Sequence, residues 1–304
     1  MTEPVEIWEQ PETDELYMIA GWRQWADAGS ISSNLPRYLL KNSGAQQIGQ
    51  LRSDGFYLFQ IPGTHHLVRP VVRFEEGLVQ GLEAQRNEFH YAGDGERGLV
   101  FFVGDEPHMD AERYVSAFLD AAETLGVRRI ITFGGVYGEL PYNKERLISA
   151  TYSLPGLRPE LEALAVNLSD YAGGASIGSY ICRRAAERDI AYVGLYAFVP
   201  TYDFSDVAEI GNTIRLENDH MAWLAVMRRV NYMLDLGFDL SDLERKSRRL
   251  VKVVDDKVAD LDRQAPQLGI RAYMQRLADN FEEMPFDPLD DVWEDELRRL
   301  FDEE

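Results

Sequence analysis

Leu16-Tyr-Met-Ile-Ala-Gly21-Trp22, Leu99-Val-Phe-Phe-Val-Gly104-Asp105-Glu106-Pro107, Arg129-Ile-Ile-Thr-Phe-Gly134-Gly135 and Ala191-Tyr-Val-Gly-Leu-Tyr-Ala-Phe-Val-Pro200 share one form: a short apolar run that ends in a small, sharp turn. Continuous apolar runs of this length suit strands covered on both faces, as in parallel sheets. Helical patterns follow or bracket three of the four. Asp110–Leu125 is the clearest, with Tyr114, Val115, Phe118, Leu119, Ala122 and Leu125 on one face and Gly126 as a stop. Strand, turn and helix in this order predict an α/β sheet whose strand carboxyl ends converge on one edge, where ligands of such sheets bind.

Working outward, residues 1–21 predict two short strands separated by Glu9–Glu15. A helix follows to about Lys41, capped by Asp27 or Ser30, with Pro36 either delaying its start or kinking it. Between 45 and 104 the chain predicts a β-rich meander: Ala45–Leu51, Phe56–Ile61, Val71–Phe74 and Leu82–Tyr91, with Asp54-Gly55, Pro62-Gly63 and Gly93-Asp94-Gly95 as turns. A strand at Leu147–Ser153 and helices at Leu157–Val166 and Ser176–Arg188 complete this half. From Glu217 the pattern changes to three successive helices, Glu217–Leu236, Asp242–Gln264 and Leu268–Asn280. A boundary at Leu236-Gly237 divides an α/β/α core, residues 1–236, from a helical extension, residues 237–304, that ends in an acidic tail. Pro285 and Pro288 break that tail early, and Val292–Phe301 could still form a helix. The broad apolar face of Glu217–Leu236 is the expected subunit contact.

Charge narrows the function. A formal net charge of −21 over 304 residues opposes binding to nucleic acid or to anionic lipid. Cys182 is the only cysteine, which excludes an internal disulfide and a cysteine zinc site, and its helical setting makes it a small core residue. No apolar run approaches the ~20 residues that span a bilayer. The N-terminus has no apolar signal segment, so a cytoplasmic location is expected.

The chemistry-bearing residues admit two readings each. Gly173-Gly-Ala-Ser-Ile-Gly178 opens a helix and could hold an anion on free N–H groups, or simply pack a tight junction. Its spacing is neither the dinucleotide fingerprint nor a P-loop. Asp105, Glu106 and His108 stand together at a strand end, either as a base or metal ligands or as caps for the next helix. His65 and His66 are adjacent and on a strand would face opposite sides. Ser176 and Ser179 lack a nucleophile elbow and an evident histidine partner. Trp22 and Trp25 are either a ligand or partner wall or one core and one covering residue. The lining of any binding edge is expected to include Trp22, Asp27, Glu106, Gly135 and Ser176, with no catalytic set, metal or cofactor.

One ordered series of motifs resembles the proteasome assembly chaperone 2 family in its bacterial and archaeal branch. It comprises Gly21-Trp22-x-x-x-Ala26-Asp27-Ala28-Gly29, Ser53-Asp54-Gly55-Phe56-Tyr57-Leu58-Phe59 with Arg69-Pro70, Gly104-Asp105-Glu106-Pro107, Phe133-Gly134-Gly135, Gly174-Ala-Ser-Ile-Gly178 and Pro200-Thr-Tyr202. The resemblance spans roughly residues 5–235. It implies a three-layer α/β/α sandwich with a mixed, mostly parallel sheet of the phosphorylase/hydrolase-like architecture, followed by a helical extension. It further implies homo-oligomers, trimers among bacterial members, and a scaffold or assembly-chaperone role without known enzymatic activity. Archaeal relatives dock on proteasome subunits through a hydrophobic–tyrosine–any-residue tail; this chain ends Phe301-Asp302-Glu303-Glu304, which departs from that pattern. The alternative, from fold analogy, is a nucleoside- or phosphate-type ligand bound at the strand carboxyl edge.

Overall fold

The computed structural model describes residues 4–60, 68–203 and 213–286. Its strands are β1 Val5–Ile7, β2 Glu15–Arg23, β3 Gln46–Leu51, β4 Val71–Glu75, β5 Leu78–Glu83, β6 Glu88–Gly93, β7 Arg97–Asp105, β8 Arg129–Gly138, β9 Ile148–Tyr152, β10 Asn167–Leu168, β11 Tyr192–Asp203 and β12 Thr213–Arg215. Its helices are α1 Ile31–Ser43, α2 Ala111–Leu125, α3 Arg158–Glu162, α4 Ile177–Glu187, α5 His220–Leu234, α6 Ser241–Gln264 and α7 Ile270–Asp279.

The four apolar runs are the parallel centre of a ten-stranded mixed sheet ordered β1-β3-β6-β7-β2-β8-β11-β9-β10, with β12 beside β11. The predicted meander adds the antiparallel strands β6 and β3 on the β7 side. Each central strand buries both faces by simple alternation. Ile19, Phe101, Ile131 and Leu195 enter one core with α1, α5 and α6. Met18, Ala20, Val100, Phe102, Ile130 and Tyr192 enter a second core with α2 and α4. These two cores make the three layers. Because the chain moves from β7 on one side of β2 to β8 on the other, β2 lies at the topological switch.

Several local expectations change. Phe56–Gln60 forms no strand; Phe56 is buried, and its carbonyl oxygen accepts the N–H groups of His108 and Met109. Leu82–Tyr91 is two strands, because Asn87 turns inward between them at 2% exposure and its Oδ1 accepts the Asp105 N–H. Pro36 leaves α1 unbroken. Gly21 lets this helix lie against β2: a Cβ there would stand 2.0 Å from the Ser32 carbonyl oxygen and 2.5 Å from Pro36 Cγ. Helix α5 turns its apolar face inward, burying Ala222, Trp223, Leu224, Val226, Met227 and Val230 in its own chain, so that face is no subunit contact. The extension packs on α5, not on the sheet itself. Leu243, Val254, Val258 and Leu261 of α6 join the first core, and Asp242 and Asp255 accept hydrogen bonds from Tyr38 (2.8 Å) and Tyr142 (2.5 Å). His65, His66, the Pro62-Gly63 turn and most of the acidic tail lie outside the described residues.

Candidate functional site

The carboxyl ends of β7, β2, β8 and β11 gather all five predicted residues within one edge, where the polar side chains of Asp27, Glu106 and Ser176 each accept backbone N–H groups. The Asp27 carboxylate Oδ1 accepts the N–H groups of Ser32 (2.8 Å) and Ser33 (3.0 Å), which caps the first turn of α1. Burial pushes its carboxyl above the usual range, against these bonds. Asp27 also forms a parallel bridge to Gly135, whose N–H donates to the Ala26 carbonyl at 2.9 Å. Gly135 must be glycine because a Cβ would stand 2.1 Å from the Ala28 carbonyl oxygen. A Cβ on its neighbour Gly134 would stand 2.3 Å from the Tyr196 ring.

Glu106 caps a helix, but not the one that follows it. Its Oε1 accepts the N–H of Ile177 (3.0 Å) at the start of α4, and its Oε2 accepts the N–H of Trp25 (2.9 Å). One carboxylate therefore ties the β2 turn to α4 and occupies the helix N-terminus that an external anion would need. Ser176 completes this cap: its Oγ accepts the Ser179 N–H at 3.3 Å, and no histidine bonds to it among the described residues. Asp105 accepts the Arg86 N–H at 3.1 Å and pairs with Arg23 at 2.8 Å. His108 Nδ1 accepts the Leu58 N–H, and burial lowers the pKa of the ring. An imidazole held as an acceptor and disfavoured as a cation is a poor general base here.

The two tryptophans divide. Trp22 is fully buried among Phe102 and Phe118, with its indole N–H donating to the Tyr114 hydroxyl (2.9 Å), which donates to Asn87 (2.8 Å). It offers no surface, which corrects its place in the expected lining. Trp25 is 70% exposed and lies 3.6 Å from the Cβ position of Gly174. Tyr171, 67% exposed, donates to the Gly174 carbonyl at 3.2 Å. These rings flank the Gly173-Gly174 backbone as an exposed aromatic rim. Tyr171 was not among the expected residues, since an isolated tyrosine in Ser169-Asp-Tyr-Ala-Gly carries no periodic signal.

Beside this edge a cleft of about 490 Å³ is lined by Arg23, Arg37, Arg69, Glu83, Arg86 and Asp105. A wider groove of about 970 Å³ opens at the opposite edge, between Glu15, Arg97, Arg128 and Phe238. Neither contains Asp27, Glu106, Gly135 or Ser176 in its lining. Among the described residues no three His, Cys, Asp or Glu side chains stand together as a metal site, and no helix is long and apolar enough to cross a membrane. Cys182 lies on the buried face of α4, and burial pushes its thiol up to about 11.

The sequence profile described as the PAC2 family matches residues 22–258. Among solved structures, a PAC2 family protein from Streptomyces avermitilis is similar at 23% identity and TM-score 0.68, covering 82% of this chain and 97% of that one. A proteasome-assembly chaperone homologue from Mycobacterium tuberculosis is similar at 19% identity and TM-score 0.68, covering 80% and 95%. PbaB from Pyrococcus furiosus, an archaeal proteasome activator, is similar at 19% identity and TM-score 0.59, covering 83% and 97%. At these identities the structural likeness speaks to the fold. No curated protein matches the sequence.

Proposed function

Because the chain belongs to the PAC2 family, we propose that it is a non-catalytic, self-associating scaffold of the assembly-chaperone kind, docking a protein partner at the strand carboxyl edge. One observation carries this reading. Every candidate polar group at the edge already holds a backbone N–H of its own chain, while two aromatic side chains, Trp25 and Tyr171, face solvent there. Tryptophan and tyrosine are among the side chains that dominate protein interfaces. The names of two structural relatives, a proteasome-assembly chaperone homologue and a proteasome activator, support a protein partner and suggest proteasome subunits as its class. A nucleoside or phosphate ligand would have to displace Glu106 from the α4 N-terminus, which disfavours the small-molecule alternative. The fold and the family setting fit a cytoplasmic protein.

Affinity purification from native lysate tests the reading. The intact chain is expected to retain a specific protein that Trp25→Ala/Tyr171→Ala loses at least tenfold while keeping its circular dichroism and Tm. Equal retention by the variant, or no retained protein with the intact chain, overturns it.

A further inference from the structure

The hairpin of β4 and β5 forms its own two-stranded sheet, apart from the main one, and turns through Glu76-Gly77, both at positive φ. Every residue of both strands is exposed. Its register pairs Val72 with Leu82 and Phe74 with Val79. Directly opposed residues share a face, and alternation along β4 puts Val72 and Phe74 on the same side. One face of the hairpin is therefore Val72, Phe74, Val79 and Leu82, at 46%, 64%, 56% and 60% exposure. The other face is mixed: Arg73 pairs with Glu83 across the strands, Leu78 lies opposite Glu75, and Val71 and Glu83 line the arginine-rich cleft. The base of this second face borders the cleft, and the face of Val72, Phe74, Val79 and Leu82 is open to water.

Folding of one chain leaves that apolar face uncovered. An isolated two-stranded hairpin is marginal in water, and an uncovered apolar patch marks an interaction surface. Charge selects the occupant. The chain carries −21, so most of its surface repels another copy. Residues 69–86 are neutral, with Arg69, Arg73 and Arg86 balancing Glu75, Glu76 and Glu83. Two copies can meet here without like charges opposed at the contact, and a face of like apolar residues is self-complementary about a two-fold axis. Helix α5 has no apolar face left for this purpose.

We infer that the Val72–Phe74–Val79–Leu82 face of the hairpin is a homo-association surface, packed against the same face of a second copy of this chain. The inference rests on the self-association part of the proposed function and names its surface. Light scattering after size exclusion tests it on the full chain. The intact protein is expected to run at a multiple of the monomer mass, and Phe74→Asp/Leu82→Asp at a smaller one with unchanged Tm. Phe74→Cys is expected to give a covalent dimer on oxidation, because the only native thiol, Cys182, is buried. An intact chain that is monomeric overturns self-association itself. An assembled chain whose mass the acidic variant leaves unchanged, or whose Phe74→Cys form does not cross-link, overturns the hairpin contact alone.

Discussion

Asp219→Ala is expected to lower Tm by roughly 6–15 °C, corresponding to a loss of about 3–5 kcal/mol. Asp219 and Arg146 form a fully enclosed pair, with side-chain exposures of 0% and 1%. The Arg146 Nε donates to Oδ2 at 2.7 Å, and its Nη1 donates to the carbonyls of Pro141 and Lys144. Removing the carboxylate leaves a guanidinium with no counter-charge in a dry site, the costly way to break a buried pair. It also removes the cap of α5, because Oδ1 accepts the N–H groups of Met221 and Ala222 at 3.1 and 3.2 Å. The effect reaches the candidate site, since the Asp219 N–H and the Trp223 indole both donate to the carbonyl of Gly29. Arg146→Met/Asp219→Leu, which removes both charges, is expected to recover most of the loss. Thermal and urea unfolding of the two variants check this; an Asp219→Ala shift no larger than that of the double variant contradicts it.

Gly135→Val is expected to cost at least about 3 kcal/mol, measured as a fall in the urea midpoint. The clash is with backbone, the Ala28 carbonyl oxygen at 2.1 Å from the added Cβ, so no side-chain rotation relieves it. The loop from Ala26 to Ala28 must move away, which breaks the Gly135 N–H bond and disturbs the Asp27 cap of α1. Gly156→Ala is the control, because nothing lies within 4 Å of its Cβ position; its change is expected to stay within about 0.5 kcal/mol. Equal effects at the two positions would contradict the close approach at Gly135.

The central sheet was legible because four uninterrupted apolar runs allow only doubly covered strands, and the flanking helices declared themselves through Gly126, Ser176 and their apolar spacing. Local errors arose where a tertiary contact decided the backbone. Phe56 looks like a strand residue, yet its surroundings, His108 and Tyr114, come from far along the chain. Asn87 interrupts a run that alternates well, because its amide oxygen meets Asp105 and Tyr114. The candidate edge was found through its motifs, and the roles within it were not. Glu106 is 71 residues from the helix it caps, and Arg146 is 73 from its counter-ion. Nothing local distinguishes Trp22 from Trp25: one stands on a strand facing a core, the other two residues past the strand end in water. The hairpin face was partly readable, since Val72 and Phe74 alternate with Arg73 and Glu75, but which side borders the cleft required the fold.

Site-specific photo-cross-linking in living cells tests most directly whether the carboxyl edge is a protein-docking surface. Benzoylphenylalanine in place of Trp25 is compared with the same residue in place of Trp8, which is also exposed but lies beside the outer strand pair β1–β3. The account predicts a discrete covalent adduct to another protein from position 25 and none from position 8. No adduct at position 25, or the same adducts from both positions, would contradict it.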